Sequence, residues 1–141
     1  RAGGFTDWHE TPRGCLAVII LIDQLSRNIY RDSPLAWSAD DVGLSCTKQA
    51  ITRAYDAGLG IDERKFLYMP LMHSEVLADQ EQCVELFETL ATDEDDVSLD
   101  FAIRHRDIIA RFGRFLHRNK ILGRESTPEE LAFLKEPDSS F

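Results

Sequence analysis

Three times the chain places a hydroxyl side chain directly before proline: Thr11-Pro12, Ser33-Pro34 and Thr127-Pro128. A Ser or Thr at the N-cap accepts a hydrogen bond from a free N–H of the first helical turn. Proline at the first helical position gives up an N–H that would have no helical partner anyway. Thr127-Pro128-Glu129-Glu130 completes a capping box, and Ser38 followed by Asp41 resembles one with Asp in place of Glu. Ser74 reads as a further N-cap and Gly58 as the residue that closes a helix. No segment alternates with period two, and no Asn-Gly or Asp-Gly pair marks a hairpin. The punctuation therefore predicts an all-α fold of about six or seven helices joined by short loops.

The first helix is apolar from Leu16 to Ile22 and then turns polar, with Asp23, Gln24, Arg27, Asn28 and Arg31. Asp23 and Arg27, Gln24 and Asn28, and Arg27 and Arg31 each stand four apart and share a helical face. A buried apolar helix thus ends in a packed polar patch. The next helix carries Val42, Leu44, Cys46, Ala50 and Ile51. Another opens at Asp62 and meets Pro70, which breaks or kinks it. Val76, Leu77, Cys83, Val84, Leu86, Phe87 and Leu90 form the next apolar face, followed by an acidic loop from Thr92 to Asp96. Asn28 and Asn119, in the shared form Leu-x-Arg-Asn, read as C-caps in left-handed geometry.

Chemistry concentrates in Arg104 to Glu125. Phe101, Ile108, Phe112 and Phe115 recur at helical spacing, and His105 falls on their stripe. An imidazole there needs a partner, since an unpaired buried polar group costs about 1–3 kcal/mol. Two readings stand: a hydrogen-bonded core histidine, or a ligand or general base. From Arg104 to Arg124 the chain carries seven basic residues and one acid, Asp107, within a chain of net charge −9. Glu75 to Asp96 holds nine acids and no Lys or Arg. The two stretches are expected to lie antiparallel with their charges paired.

At 141 residues the chain reads as one domain, 1–141, able to bury a core. No apolar run approaches the roughly 18 residues of a membrane span, so no membrane partner is expected. A pI near 4.8 argues against nucleic acid. Cys15, Cys46 and Cys83 are odd in number and lack a CxxC spacing, which points to reduced thiols and a cytoplasmic setting. No cofactor motif and no metal-ligand spacing is present; His73-x-Glu75 is not a specific one.

The stretches DQLSRNIYR (23–31), FLYMPLMHSEVLADQE (66–81) and HRDIIARFGRFLHRNKILGRES (105–126) resemble the bacterial family known as domain of unknown function 924. The resemblance runs from about Trp8 to Phe141 and implies a tetratricopeptide-like helical array. It leaves the activity open. The chain departs from the pattern at Leu25-Ser26, where Phe-Pro is usual, at Leu116, where Pro is usual, and in lacking an aromatic-rich opening helix.

Two functions fit these residues. In the first, Arg27, Asn28, Arg111, Arg114, His117 and Arg118, with His105, line a groove for a small anionic ligand or an acidic peptide end. In the second, His73, Glu75 and His105 form the acid–base cluster of a hydrolase, with or without a metal. Without the opening helix of the family pattern, the apolar face of Leu16 to Ile22 is expected to be uncovered, so a homodimer is a further expected partner.

Overall fold

The structure is a computed structural model that describes residues 6–92 and 96–141. It contains helices α1 (Pro12–Ile19), α2 (Ser26–Ile29), α3 (Asp40–Thr52), α4 (Ile61–Met72), α5 (Leu77–Leu90), α6 (Val97–Phe112) and α7 (Pro128–Phe133). Short 3-10 turns connect several of them, and no strand occurs among the described residues. The fold is all-α, as the punctuation predicts.

All three proline starts are real. Thr11 Oγ1 accepts from Gly14 N–H at 3.1 Å, Ser33 Oγ from Leu35 N–H at 3.3 Å, and Thr127 Oγ1 from Glu130 N–H at 3.2 Å. Ser33 starts a 3-10 turn, Pro34–Trp37, rather than an α-helix. Two other expected caps fail. Ala39, not Ser38, precedes α3 as its N-cap. Val76 precedes α5, while Ser74 Oγ donates to Asp79 at 2.7 Å and accepts from Val76 N–H. Asn28 and Asn119 are not left-handed caps: Asn119 has φ −54°, and the non-glycine residues with positive φ are Asp32, Ala54 and Asp138. The residue that closes α3 is Arg53, with Gly58 in a later 3-10 turn. Pro70 sits inside α4 without ending it.

The core gathers Cys15, Ile19, Ala50, Leu67, Leu71, Cys83, Phe87 and Ala102 from α1 and α3–α6. α1 packs on α3 and α4, so Cys15, Leu16, Val18 and Ile19 are buried, with Leu21 at the edge. Of the face expected to be open, Leu16 to Ile22, the α1 part is thus covered by α3 and α4, while Leu21 stays exposed. Gly14 lets the preceding 3-10 turn, Thr6–Glu10, lie close against the start of α1, since a Cβ there would lie 2.0 Å from the Trp8 carbonyl oxygen. α6 returns along α5 after residues 91–96. Residues 93–95 of the acidic loop lie outside the described residues. Asp96 caps α6 by accepting from Ser98 and Leu99 N–H at 2.9 and 3.2 Å.

Of the charge pairing expected between Glu75–Asp96 and Arg104–Arg124, Glu75–Arg124 forms among the described residues, while the α6 arginines pair elsewhere. Arg104 pairs with Asp100 and Asp138, Arg106 with Asp107, and Arg111 with Glu129. Acids on the same helix, or on the segments that follow it, reach these arginines more readily than the α5 acids. The apolar stripe is also shorter than expected. α6 ends at Phe112 with Gly113 at φ 72°, and its buried side is Ala102, His105, Ile108 and Ile109. Phe101 is exposed, and Phe115 belongs to the following loop.

Candidate functional site

Between α1 and α2 the backbone widens into a π-helical stretch, Ile20–Leu25. The chain there passes from apolar to polar, and the stretch buries Asp23 to 2% exposure. Such local widenings of a helix recur at functional sites. Asp23 faces His73, fifty positions on, at the end of α4: the His73 Nδ1 lies 2.8 Å from Asp23 Oδ1. Gln24 Nε2 donates to the other oxygen at 2.6 Å, and an Arg27 nitrogen stands 3.3 Å from the carboxylate. Burial alone would raise the Asp23 pKa. The His73 hydrogen bond and charge, with Arg27, hold it below the ordinary carboxylate range. An ionised carboxylate only accepts, so the His73 Nδ1 carries the hydrogen, and in the neutral ring the lone pair falls on Nε2.

His73 borders two adjoining cavities. The larger, about 640 Å³, also draws on Arg31, Trp37, His105, His117, Arg118 and Phe141. The smaller, about 450 Å³, shares Trp37, His73 and Arg118 and adds Asp40 and Glu75. Residues far apart in sequence meet here because α2, the end of α4, the middle of α6 and the loop after Gly113 converge.

Arg118 is the central cation. It is 6% exposed, and its guanidinium lies over the Phe115 ring at 4.6 Å and the Trp37 ring at 5.5 Å. One terminal nitrogen donates to the His73 carbonyl at 3.1 Å, and the other stands 3.6 Å from Asp40. Its Nε is buried with no protein partner. Burial pushes its pKa down to about 10; Asp40 opposes the shift, and Arg27 adds to it. Arg27, by contrast, is fully engaged, donating to both Asp40 oxygens at 2.8 and 3.0 Å and to the Ala36 carbonyl at 3.1 Å. Arg31 contacts Asn28 Oδ1 at 3.3 Å and has no carboxylate partner among the described residues.

Two further histidines line the larger cavity. His105 Nδ1 donates to the Phe101 carbonyl at 2.7 Å, which supplies the partner its place on the stripe demanded. Burial drives its pKa down to about 3, so the ring is neutral. Phe141 stacks on it at 3.7 Å, and Phe115 meets its edge at 5.5 Å. Burial, then Arg118, lowers His117 to about 4, and its Nδ1 is buried without a partner.

Of the residues expected to bind an anion, Arg27, Asn28, His117 and Arg118 line this cavity together with His105. Arg111 and Arg114 do not. Arg111 is exposed, pairs with Glu129 at 2.9 Å and lies over Phe112; Arg114 donates to both oxygens of Glu130 at 2.8 Å. Of the expected catalytic trio, the His73 and His105 rings stand 6.2 Å apart. Glu75 is drawn elsewhere: it accepts from Arg124 at 2.8 and 2.9 Å and from Phe115 N–H at 2.8 Å. Asp40, Trp37 and Phe141 were not singled out from sequence, since nothing local marks them. No group of three or more His, Cys, Asp or Glu among the described residues is placed to hold a metal ion.

Comparison with curated proteins gives no match. Among solved structures, the chain is similar to the protein of unknown function ATU0120 from Agrobacterium tumefaciens. The two are 37% identical with a TM-score of 0.87, over 93% of this chain and 72% of that one. The model of a bacterial family of unknown function, DUF924, matches residues 1–138. With nearly its whole length matched, the chain belongs to the DUF924 family.

Proposed function

We propose that the larger cavity binds a small organic anion. The observation that carries this reading is Arg118: a buried guanidinium whose Nε has no partner and whose nearest carboxylate, Asp40, is 3.6 Å away and already held by Arg27. A buried cation that is short of counter-charge favours an incoming anion. Arg31 at the rim adds a second cation without a carboxylate. The aromatic walls, Trp37, Phe115 and Phe141, favour an anion with an organic body over a bare inorganic one. An acidic peptide end satisfies the same chemistry if its terminus enters the cavity. The reading also takes the helices as a tetratricopeptide-like scaffold in the cytoplasm, supported by three unpaired thiols.

Thermal unfolding against acetate, benzoate, inorganic phosphate and a short acidic peptide tests it. Ligand at about 100 times its Kd adds about 2.7 kcal/mol, or about 5–10 °C for a chain of this size. Benzoate is expected to stabilise the wild type and Arg111→Ala equally, and to have no effect on Arg118→Met. If none of the probes raises the melting temperature, the reading is wrong.

A further inference from the structure

We propose that this cavity is catalytic, with His73 Nε2 as a general base and Asp23 as the residue that positions it. The proposal takes its location from the anion-binding reading, but its chemistry rests on different atoms. Asp23 is buried, ionised and bonded to Nδ1 at 2.8 Å, an arrangement that fixes the imidazole tautomer and directs the free lone pair of Nε2 away from the carboxylate. The His73 side chain keeps 16% exposure where the two cavities adjoin, so the base is open to a bound molecule. The other histidines are poorer bases in place: Phe141 covers the His105 face, and His117 lies beside the Arg118 charge. Glu75, the acid expected beside His73, is occupied by Arg124, and Asp23 takes its place.

The lining also narrows the reaction class. Cys15, Cys46 and Cys83 line neither cavity, and both serines of the smaller one are engaged: Ser74 Oγ donates to Asp79 at 2.7 Å and Ser38 Oγ to the Leu35 carbonyl at 2.9 Å. Water is then the nucleophile, and the substrate class is an ester or amide of a small organic acid. His73 Nε2 takes a proton from water as the water oxygen bonds to the acyl carbon. The carbonyl oxygen becomes an oxyanion, which the charge of the Arg118 guanidinium on the cavity wall stabilises. The intermediate collapses with cleavage of the acyl–heteroatom bond, and the imidazolium returns its proton to the departing oxygen or nitrogen.

The test uses the full chain with 4-nitrophenyl acetate as probe. Wild type and Arg111→Ala are expected to release 4-nitrophenolate about 100-fold faster than His73→Gln, the scale of one acid–base group. Asp23→Asn is expected to lose most of that rate and Asp23→Glu to recover part of it. Imidazole ¹⁵N spectra of the wild type should show His73 with hydrogen on Nδ1, which decides the tautomer even if an Asp23 variant fails to fold. A folded His73→Gln protein that matches the wild-type rate, or His73 with its hydrogen on Nε2, overturns the proposal. Hydrolysis through His73 with no anion-induced stabilisation would remove the binding reading alone. Stabilisation by benzoate with equal hydrolysis rates would remove this one alone.

Discussion

Buried His105 and half-buried His117 tie the stability of the protein to pH. In the unfolded chain His105 and His117 titrate near the ordinary value of 6.5, whereas in the native state they titrate at about 3 and about 4. As pH falls below 6.5 the unfolded chain takes up protons that the native state refuses. Stability is therefore full above that point and declines toward the native pKa values. Each histidine contributes a slope of up to about 1.4 kcal/mol per pH unit. Urea denaturation at pH 7.5 and 5 should show the loss. His105→Asn keeps a donor for the Phe101 carbonyl and is expected to flatten the slope by one proton. Equal slopes for variant and wild type would show that His105 protonates freely in the native state. Gly14 is constrained by sterics instead. In Gly14→Ala the new Cβ meets the Trp8 carbonyl at 2.0 Å, so the backbone at the start of α1 has to move. The expected loss is about 1–3 kcal/mol in the same denaturation experiment.

At the scale of elements, what the sequence revealed depended on whether the partner was local. Thr11, Ser33 and Thr127 bond to N–H groups two or three residues away, so their caps could be read from the residues alone. The α7 box predicts its own test: Thr127→Ala should cost about 1 kcal/mol by calorimetry, and a loss below a few tenths would show that the cap does not hold the helix. Ser74 looked like a cap by the same rule, but it accepts from Val76 N–H ahead of the helix and its own hydrogen goes to Asp79. The polar end of the first helix was visible as a patch. Its purpose was not, because Asp23 meets His73 only after α4 brings the chain back. Arg27 and Arg118 were marked as anion ligands by their charge alone. Only the fold shows that Asp40 satisfies the first and leaves the second short. Arg111 and Arg114 carried the same signal and are satisfied by Glu129 and Glu130, whose reach depends on where α7 packs.

Over the whole molecule, the Glu75 carboxylate is a main tie between the two halves of the cavity, beside the Arg118 bond to the His73 carbonyl. His73 and Asp23 belong to the body built from α1 to α5, whereas His117 and Arg118 belong to the loop that follows α6. Glu75 binds that loop to the body, accepting from Phe115 N–H and from both terminal nitrogens of Arg124. Arg124 extends the clamp by donating to the Phe115 carbonyl at 3.0 Å and to Asn119 Oδ1 at 3.0 Å. Burial alone would raise the Glu75 pKa, but the Arg124 and Phe115 bonds lower it, as expected of a carboxylate that works in its charged form. Glu75→Gln keeps the size of the side chain and removes the charge that holds Arg124. Breaking a fully buried pair costs about 3–5 kcal/mol; this one is partly exposed, so about 2 kcal/mol is expected by denaturation. The loss should be localised. Hydrogen exchange in the variant is expected to rise across 115–124, with the α4 and α5 amides unchanged, and binding of benzoate should weaken without any change to a residue that touches it. Uniform exchange over the whole chain would mean that Glu75 supports global stability and does not hold the cavity closed.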